Sequence, residues 1–176
     1  MPETALISRV PEAEPFIGKY RERFDPPARR NVPAHVTILY PFMPPGDVDE
    51  GVLEQLRIAI DAVPGFAFRL AETRRFDVGS LYLAPNPGDS FTRLTNNVHR
   101  AFPDYPPFGG KFDTVVPHVT VAHGDPQTLG EVDIALRIAL PPGGIAARCG
   151  EVVLIENTTG IWQPMRTFAL GRTLPA

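Results

Sequence analysis

The residues in this chain best equipped for chemistry are two histidines in matching surroundings. His35-Val36-Thr37-Ile38 recurs as His118-Val119-Thr120-Val121. Each copy sets an imidazole and a hydroxyl two residues apart among β-branched neighbours, the composition of a strand. Residues i and i+2 of a strand share a face, so each copy presents an imidazole beside a hydroxyl. Two such pairs brought together supply two proton-transfer groups and two hydrogen-bond donors, chemistry suited to a phosphodiester. A zinc site is not expected, because no His/Asp/Glu cluster with ligand spacing lies near either copy.

Strand parity decides whether these histidines are core or site. Across Ala34–Phe42 the alternate residues Val36, Ile38, Tyr40 and Phe42 form one apolar row, which should pack on helices. His35 and Thr37 then occupy the opposite row and face a cleft or solvent. The same parity puts His123 on the face away from His118, unless a bulge intervenes. His99 falls on a helix beside its apolar stripe and reads as solvated or capping. Cys149 is the one cysteine, so no intramolecular disulfide can form, and it reads as a small core residue.

The elements that must position the motifs are legible in outline. Thr4–Val10 is a strand. Pro11 opens a helix with Glu12 and Glu14 in its first turn, and Asp25-Pro26-Pro27 ends it after Phe24. Asp47 and Glu50 resemble a capping box ahead of Leu53, Leu56, Ile60 and Val63 at helical spacing. Phe66–Asp77 and Leu81–Ala84 are strands joined by a turn at Val78-Gly79-Ser80. Phe91, Leu94, Val98, Ala101 and Phe102 mark a helix capped by Asp89 or Ser90. A long loop from Phe102 to Pro117 precedes the second motif strand, Pro117–His123, and loops of that length are often functional. A helix from Pro126, carrying Leu129, Val132, Leu136 and Leu140, leads to closing strands over Ile145–Glu156 and Trp162–Thr173.

The two halves echo each other beyond the motifs. Phe66–Glu72 follows the helix after the first copy, and Ile145–Glu151 follows the helix after the second, which aligns Arg69 with Arg148 and Glu72 with Glu151. The pattern predicts an α+β fold, one bilobal domain over residues 1–176 related by pseudo-twofold duplication. Two antiparallel sheets would face a central groove, with helices on their outer faces.

With 43% hydrophobic residues the chain can bury a core, and its 21 prolines read as loop punctuation rather than disorder. No apolar run approaches the roughly 18 residues of a membrane span, and the start of the sequence lacks a signal-peptide pattern. A cytoplasmic monomer without membrane contact is expected. The net charge of −3 argues against a grip on long duplex nucleic acid. A small phosphodiester or an RNA end is the expected partner.

The runs Val32-Pro33-Ala34-His35-Val36-Thr37-Ile38-Leu39-Tyr40-Pro41-Phe42 and Val116-Pro117-His118-Val119-Thr120-Val121-Ala122 resemble the motifs of the two-histidine (2H) phosphoesterase superfamily, in its 2′-5′ RNA ligase-like branch. The resemblance covers nearly the whole chain. It implies the same bilobal fold and a metal-independent enzyme with no cofactor, in which His35 and His118 are the catalytic imidazoles and Thr37 and Thr120 hold phosphate oxygens. The implied substrate is a 2′,3′-cyclic phosphate or a 2′-5′ linkage of RNA or a nucleotide, hydrolysed or, in reverse, ligated. A small non-RNA phosphodiester, or non-catalytic binding of nucleotides or RNA ends, is the alternative. Further substrate contacts are expected from Lys111, Tyr105 and Phe108 on the long loop and from Trp162. Arg29 and Arg30, ahead of the first motif, read as a solvated pair within reach of phosphate, and Tyr40 reads as core.

Overall fold

Prolines and side-chain caps set the element boundaries. The computed structural model describes residues 1–172. Its strands are β1 (Thr4–Arg9), β2 (His35–Leu39), β3 (Phe66–Phe76), β4 (Ser80–Asn86), β5 (Val119–His123), β6 (Ile145–Cys149), β7 (Glu151–Glu156) and β8 (Gln163–Ala169). Its α-helices are α1 (Glu14–Phe24), α2 (Pro26–Arg29), α3 (Glu50–Asp61), α4 (Asp89–Ala101) and α5 (Pro126–Ala139). Thr173, the expected end of the last strand, lies outside the described residues.

Asp49 and Asp125 cap α3 and α5 by accepting from the backbone N–H of Val52 and Thr128. The box anticipated at Asp47 is instead a short 3₁₀ turn over Pro45–Asp47. Gly88, without a side-chain bond, caps α4 in place of Asp89 or Ser90.

The expected pair of sheets is a single sheet. Its eight strands run in the order β6-β3-β4-β5-β2-β1-β7-β8, with every neighbouring pair antiparallel. The motif strands β5 and β2 are the central pair, with Val36 opposite Val119. Pairing there spares both strands an unsatisfied edge.

The segment expected as one strand over Ile145–Glu156 breaks at Gly150 into β6 and β7, the first and seventh strands of that order. Successive Cα atoms are about 3.8 Å apart, so Cys149 and Glu151 lie within about 7.6 Å of each other. The sheet must therefore curl until its two halves approach at this end. Ser8 Oγ of β1 ties the same halves by donating to Cys149 Sγ of β6 at 3.1 Å.

This topology also corrects the downstream echo. Counting outward from the central pair, β3 is third on its side and β6 fourth, so Arg69 and Arg148 do not occupy equivalent places. The two strands are neighbours, with Arg69 opposite Ala146. By position, the counterpart of β3 is β7.

The apolar rows behave as parity requires. Val36, Ile38, Val119 and Val121 join one core with Ile17 of α1, Leu94 of α4 and Leu129 of α5. Tyr40 leaves that row. One step along β1, from Leu6 to Ile7, spans two along β2, from Leu39 to Thr37, and this irregularity shifts the residues that follow. Tyr40 packs instead on a smaller cluster of Ala5, Ile7, Val32, Val153, Ile155 and Trp162.

The turn that delivers β6 to β3 depends on Gly144. Its φ is +78°, and a Cβ there would stand 2.5 Å from the Leu70 carbonyl oxygen. Gly144→Ala should cost about 2 kcal/mol or more, read as a lowered urea midpoint. An unchanged midpoint would show that β6 can seat without that turn.

Candidate active site

Antiparallel pairing of Val36 with Val119 sets the next residues by count: Thr120 lies across from His35, and His118 across from Thr37. The four side chains form a square on one face of the sheet. Directly opposed residues in such ladders have Cβ atoms about 5 Å apart. The alternation is visible in burial, since His35, Thr37, His118 and Thr120 are half-buried while Val36 and Val119 are fully buried.

Both imidazoles are held the same way. His35 Nδ1 lies 2.7 Å from the Pro33 carbonyl oxygen, and His118 Nδ1 lies 2.8 Å from that of Val116. A carbonyl only accepts, so each Nδ1 carries the proton and donates. Each Nε2 is left with its lone pair.

Burial pulls the His35 pKa down to about 4. The bond to Pro33 and the Asp25 carboxylate oppose that shift, and the Arg21 guanidinium adds to it. Burial also lowers His118, and His123 adds to the effect.

Arg21 and Asp25 flank His35 as a buried ion pair at the end of α1. Arg21 Nη2 and Nε both donate to Asp25 Oδ2, at 2.8 and 3.1 Å, and Nη2 also donates to the Val32 carbonyl at 3.0 Å. The residues are 2% and 1% exposed. Asp25 Oδ1 lies 3.5 Å from His123 Nε2.

His123 is not on the far face, as simple parity has it. Ser80 and Tyr82 pair with His123 and Thr120, so three steps on β5 match two on β4. Ser80 and Tyr82 share a face, and the bulge therefore turns His123 to the face of Thr120.

An aromatic wall stands beside His118. Its ring centroid is 5.0 Å from Phe76, 5.7 Å from Tyr82 and 6.2 Å from Phe108, and Phe76 stacks on Tyr82 at 4.2 Å. Of the loop residues expected near substrate, Phe108 is thus at the site. Tyr105 is drawn off to the core, where its ring meets Phe42 at 5.2 Å. Lys111 is exposed at the end of the Pro107–Gly110 turn. Trp162 is buried against Tyr40 and borders a cavity of about 760 Å³ with Arg9, Pro33 and Asn31. Arg29 donates to the Glu22 and Arg23 carbonyls at the end of α1, which occupies it as a helix cap. Arg30 is exposed, and its carbonyl accepts from Trp162 N–H.

Sequence reasoning missed Phe76 and Tyr82. The alternation Leu81-Tyr82-Leu83 was the available signal, since it places the tyrosine opposite the core-facing leucines. Among the described residues no group of three or more His, Cys, Asp or Glu side chains converges as a metal-ligand set, and no helix is long and apolar enough to cross a membrane.

The sequence profile of the 2′-5′ RNA ligase superfamily matches residues 10–160, a span that includes both motifs. A Geobacillus kaustophilus (strain HTA426) protein provisionally named a phosphoesterase is 28% identical over 160 residues, covering 89% of this chain and 88% of its own. E. coli LigT complexed with 3′-AMP matches with a TM-score of 0.60 at 16% identity, over 97% of this chain and 99% of that one. TT0787 of Thermus thermophilus matches with a TM-score of 0.65 at 15% identity, over 97% and 98%. At these identities the solved structures speak for the fold.

The lowered His35 pKa has a consequence for stability. Between pH 6.5 and about 4 the unfolded imidazole binds a proton that the folded one refuses. Stability is therefore full above 6.5 and falls as the pH drops through this window. Asp25 acts lower still. Its pKa is already below 3.8, held there by His123 and Arg21 against burial, so its contribution is lost only under stronger acid. His35→Gln should flatten the loss between pH 6.5 and 4 in urea unfolding. An identical pH slope in wild type and variant would contradict the assignment.

Proposed function

This chain belongs to the 2′-5′ RNA ligase superfamily, among the two-histidine phosphoesterases, and from that premise we propose that it cleaves a 2′,3′-cyclic phosphate or a 2′-5′ phosphodiester of RNA or a nucleotide without a metal. The observation that carries the proposal is the square of His35, Thr120, Thr37 and His118, with each Nδ1 committed to a carbonyl.

The two imidazoles take unequal roles. Burial, with a smaller contribution from Arg21, holds the His35 pKa down to about 4, so His35 is the neutral base that removes a proton from the attacking water. Burial, with His123 adding to it, also lowers His118 in the free protein. A bound phosphodiester anion favours its charged form, and it donates the proton to the departing ribose oxygen. Acid–base help of this kind is worth roughly 10² to 10⁴-fold. Thr37 and Thr120 donate their hydroxyl protons to phosphate oxygens as negative charge builds. In the reverse direction a ribose hydroxyl replaces water and the 2′-5′ bond forms.

The substrate class has support from two sides. E. coli LigT is seen with 3′-AMP, a nucleotide whose phosphate sits on the ribose. Near the square, Arg9, Arg21 and Arg74 are each paired with a carboxylate, of Glu151, Asp25 and Glu72. These three cations are already neutralised within the protein, which favours a nucleotide or an RNA end over a long phosphate backbone.

The test is turnover of nucleoside 2′,3′-cyclic phosphates with EDTA present. Wild type should be active, and His35→Ala and His118→Ala should each lose about 10² to 10⁴-fold in kcat. Undiminished activity in either variant would overturn the two-histidine mechanism. Saturable binding without wild-type turnover would identify a binder instead of an enzyme.

A further inference from the structure

We propose that Glu14 of α1 is a positioning residue for His35, acting through the peptide group that joins Pro33 to Ala34. The proposal rests on the two-histidine reading above and deepens it, since it names what holds the base in its working tautomer.

A trans peptide is planar, and its C=O and N–H point in opposite directions. The peptide between Pro33 and Ala34 is trans, and both of its polar ends are engaged. Its carbonyl oxygen accepts from His35 Nδ1 at 2.7 Å. Its N–H donates to Glu14 Oε1 at 2.6 Å. Glu14 and the imidazole therefore sit on opposite edges of one rigid plate, and holding one edge orients the other. Hydrogen bonds in series also polarise one another, so the Glu14 carboxylate makes the Pro33 carbonyl a better acceptor.

The preceding peptide is held from the same helix. Arg21 Nη2 donates to the Val32 carbonyl at 3.0 Å, and Arg21 follows Glu14 about two turns later on one face of α1. With the Pro33 ring restricting φ, the peptide planes on both sides of its Cα are set by α1. Ala34 is 1% exposed, so water is no substitute for the carboxylate at its N–H. Gly18, in the same helix, leaves the carboxylate its place. A Cβ there would stand 3.1 Å from Glu14 Oε2, and glycine is otherwise unfavourable inside a helix.

A histidine acting as base through Nε2 must keep its proton on Nδ1. The chain from Glu14 through the peptide to Nδ1 enforces that placement on His35. His118 uses the matching carbonyl, that of Val116. The nitrogen of that peptide belongs to Pro117 and carries no hydrogen, so no side chain can grip the peptide by its N–H. The tighter control thus falls on His35, the residue read as base, and His118 serves as an internal control.

The test compares Glu14→Gln, Glu14→Asp and Glu14→Ala with wild type. It reads the histidine tautomers by nitrogen NMR at neutral pH, where His35 is uncharged, and kcat and KM on a nucleoside 2′,3′-cyclic phosphate. Glutamine keeps an oxygen acceptor at the same reach, whereas aspartate keeps the charge and falls one methylene short. Glu14→Gln should hold His35 in the Nδ1–H tautomer, with kcat within about threefold of wild type. Glu14→Asp and Glu14→Ala should let the Nε2–H tautomer of His35 appear and lower kcat about tenfold, the size of one charge-assisted hydrogen bond, with KM within about threefold. The His118 tautomer should not move in any variant. A His35 tautomer unchanged in Glu14→Ala, or in Glu14→Asp where the alanine variant does not fold, would overturn the proposal. So would a shifted tautomer with unchanged kcat, or wild-type behaviour in Glu14→Asp but not in Glu14→Gln, which would point to charge rather than reach. Absence of turnover by wild type would overturn the phosphodiesterase reading alone, and the tautomers would still decide whether Glu14 positions His35.

Discussion

Val36 and Val119 meet across the seam between β2 and β5, and the chemistry of the groove depends on that register. Because side chains alternate along a strand, a slip of one residue would turn one His/Thr pair into the core and leave its partner alone. The pairing is protected from both sides. The valines are fully buried among residues of α1, α4 and α5, so the apolar row and the helices it packs on hold the strands in place. The site face inherits its geometry from packing on the opposite face.

Charge is handled by the same economy. Arg21 and Asp25 are nearly inaccessible, and two ions buried together are worth little net stability. Removing one partner leaves the other uncompensated, at about 3–5 kcal/mol. Their placement beside His35 makes more sense as electrostatics. The guanidinium disfavours a proton on His35, while Asp25 holds His123 at the same end of the groove. The two members of the pair act on His35 in opposite senses, and burial is the larger cause of its lowered pKa. The second motif strand has an aromatic wall where the first has an ion pair.

Much of this was legible in the sequence, and the failures have identifiable causes. Strand parity over Ala34–Phe42 and Pro117–His123 separated site rows from core rows, because period-2 patterning survives wherever one face is buried. Parity failed at Tyr40 and His123, where irregular pairing adds a residue on one strand, and nothing in a local window announces a bulge. The single sheet was hidden because strand neighbours are set by long-range pairing. Gly150 lets one stretch of chain, Ile145–Glu156, serve both halves of the sheet, and a pattern of alternating burial does not record such a switch. The resulting echo between Phe66–Glu72 and Ile145–Glu151 paired strands that prove to be neighbours. His99, whose Nδ1 is buried, was misread for a different reason, since part of its surroundings comes from the irregular loop that follows α4, whose path helical spacing does not record.

A crystal structure with inorganic phosphate tests the central claim most directly, because it asks whether one anion can engage both motifs. The account predicts a single phosphate with oxygens about 2.7–3.2 Å from His35 Nε2, His118 Nε2, Thr37 Oγ1 and Thr120 Oγ1. A phosphate bound by one motif alone, or imidazole nitrogens too far apart to share it, would contradict the two-histidine site.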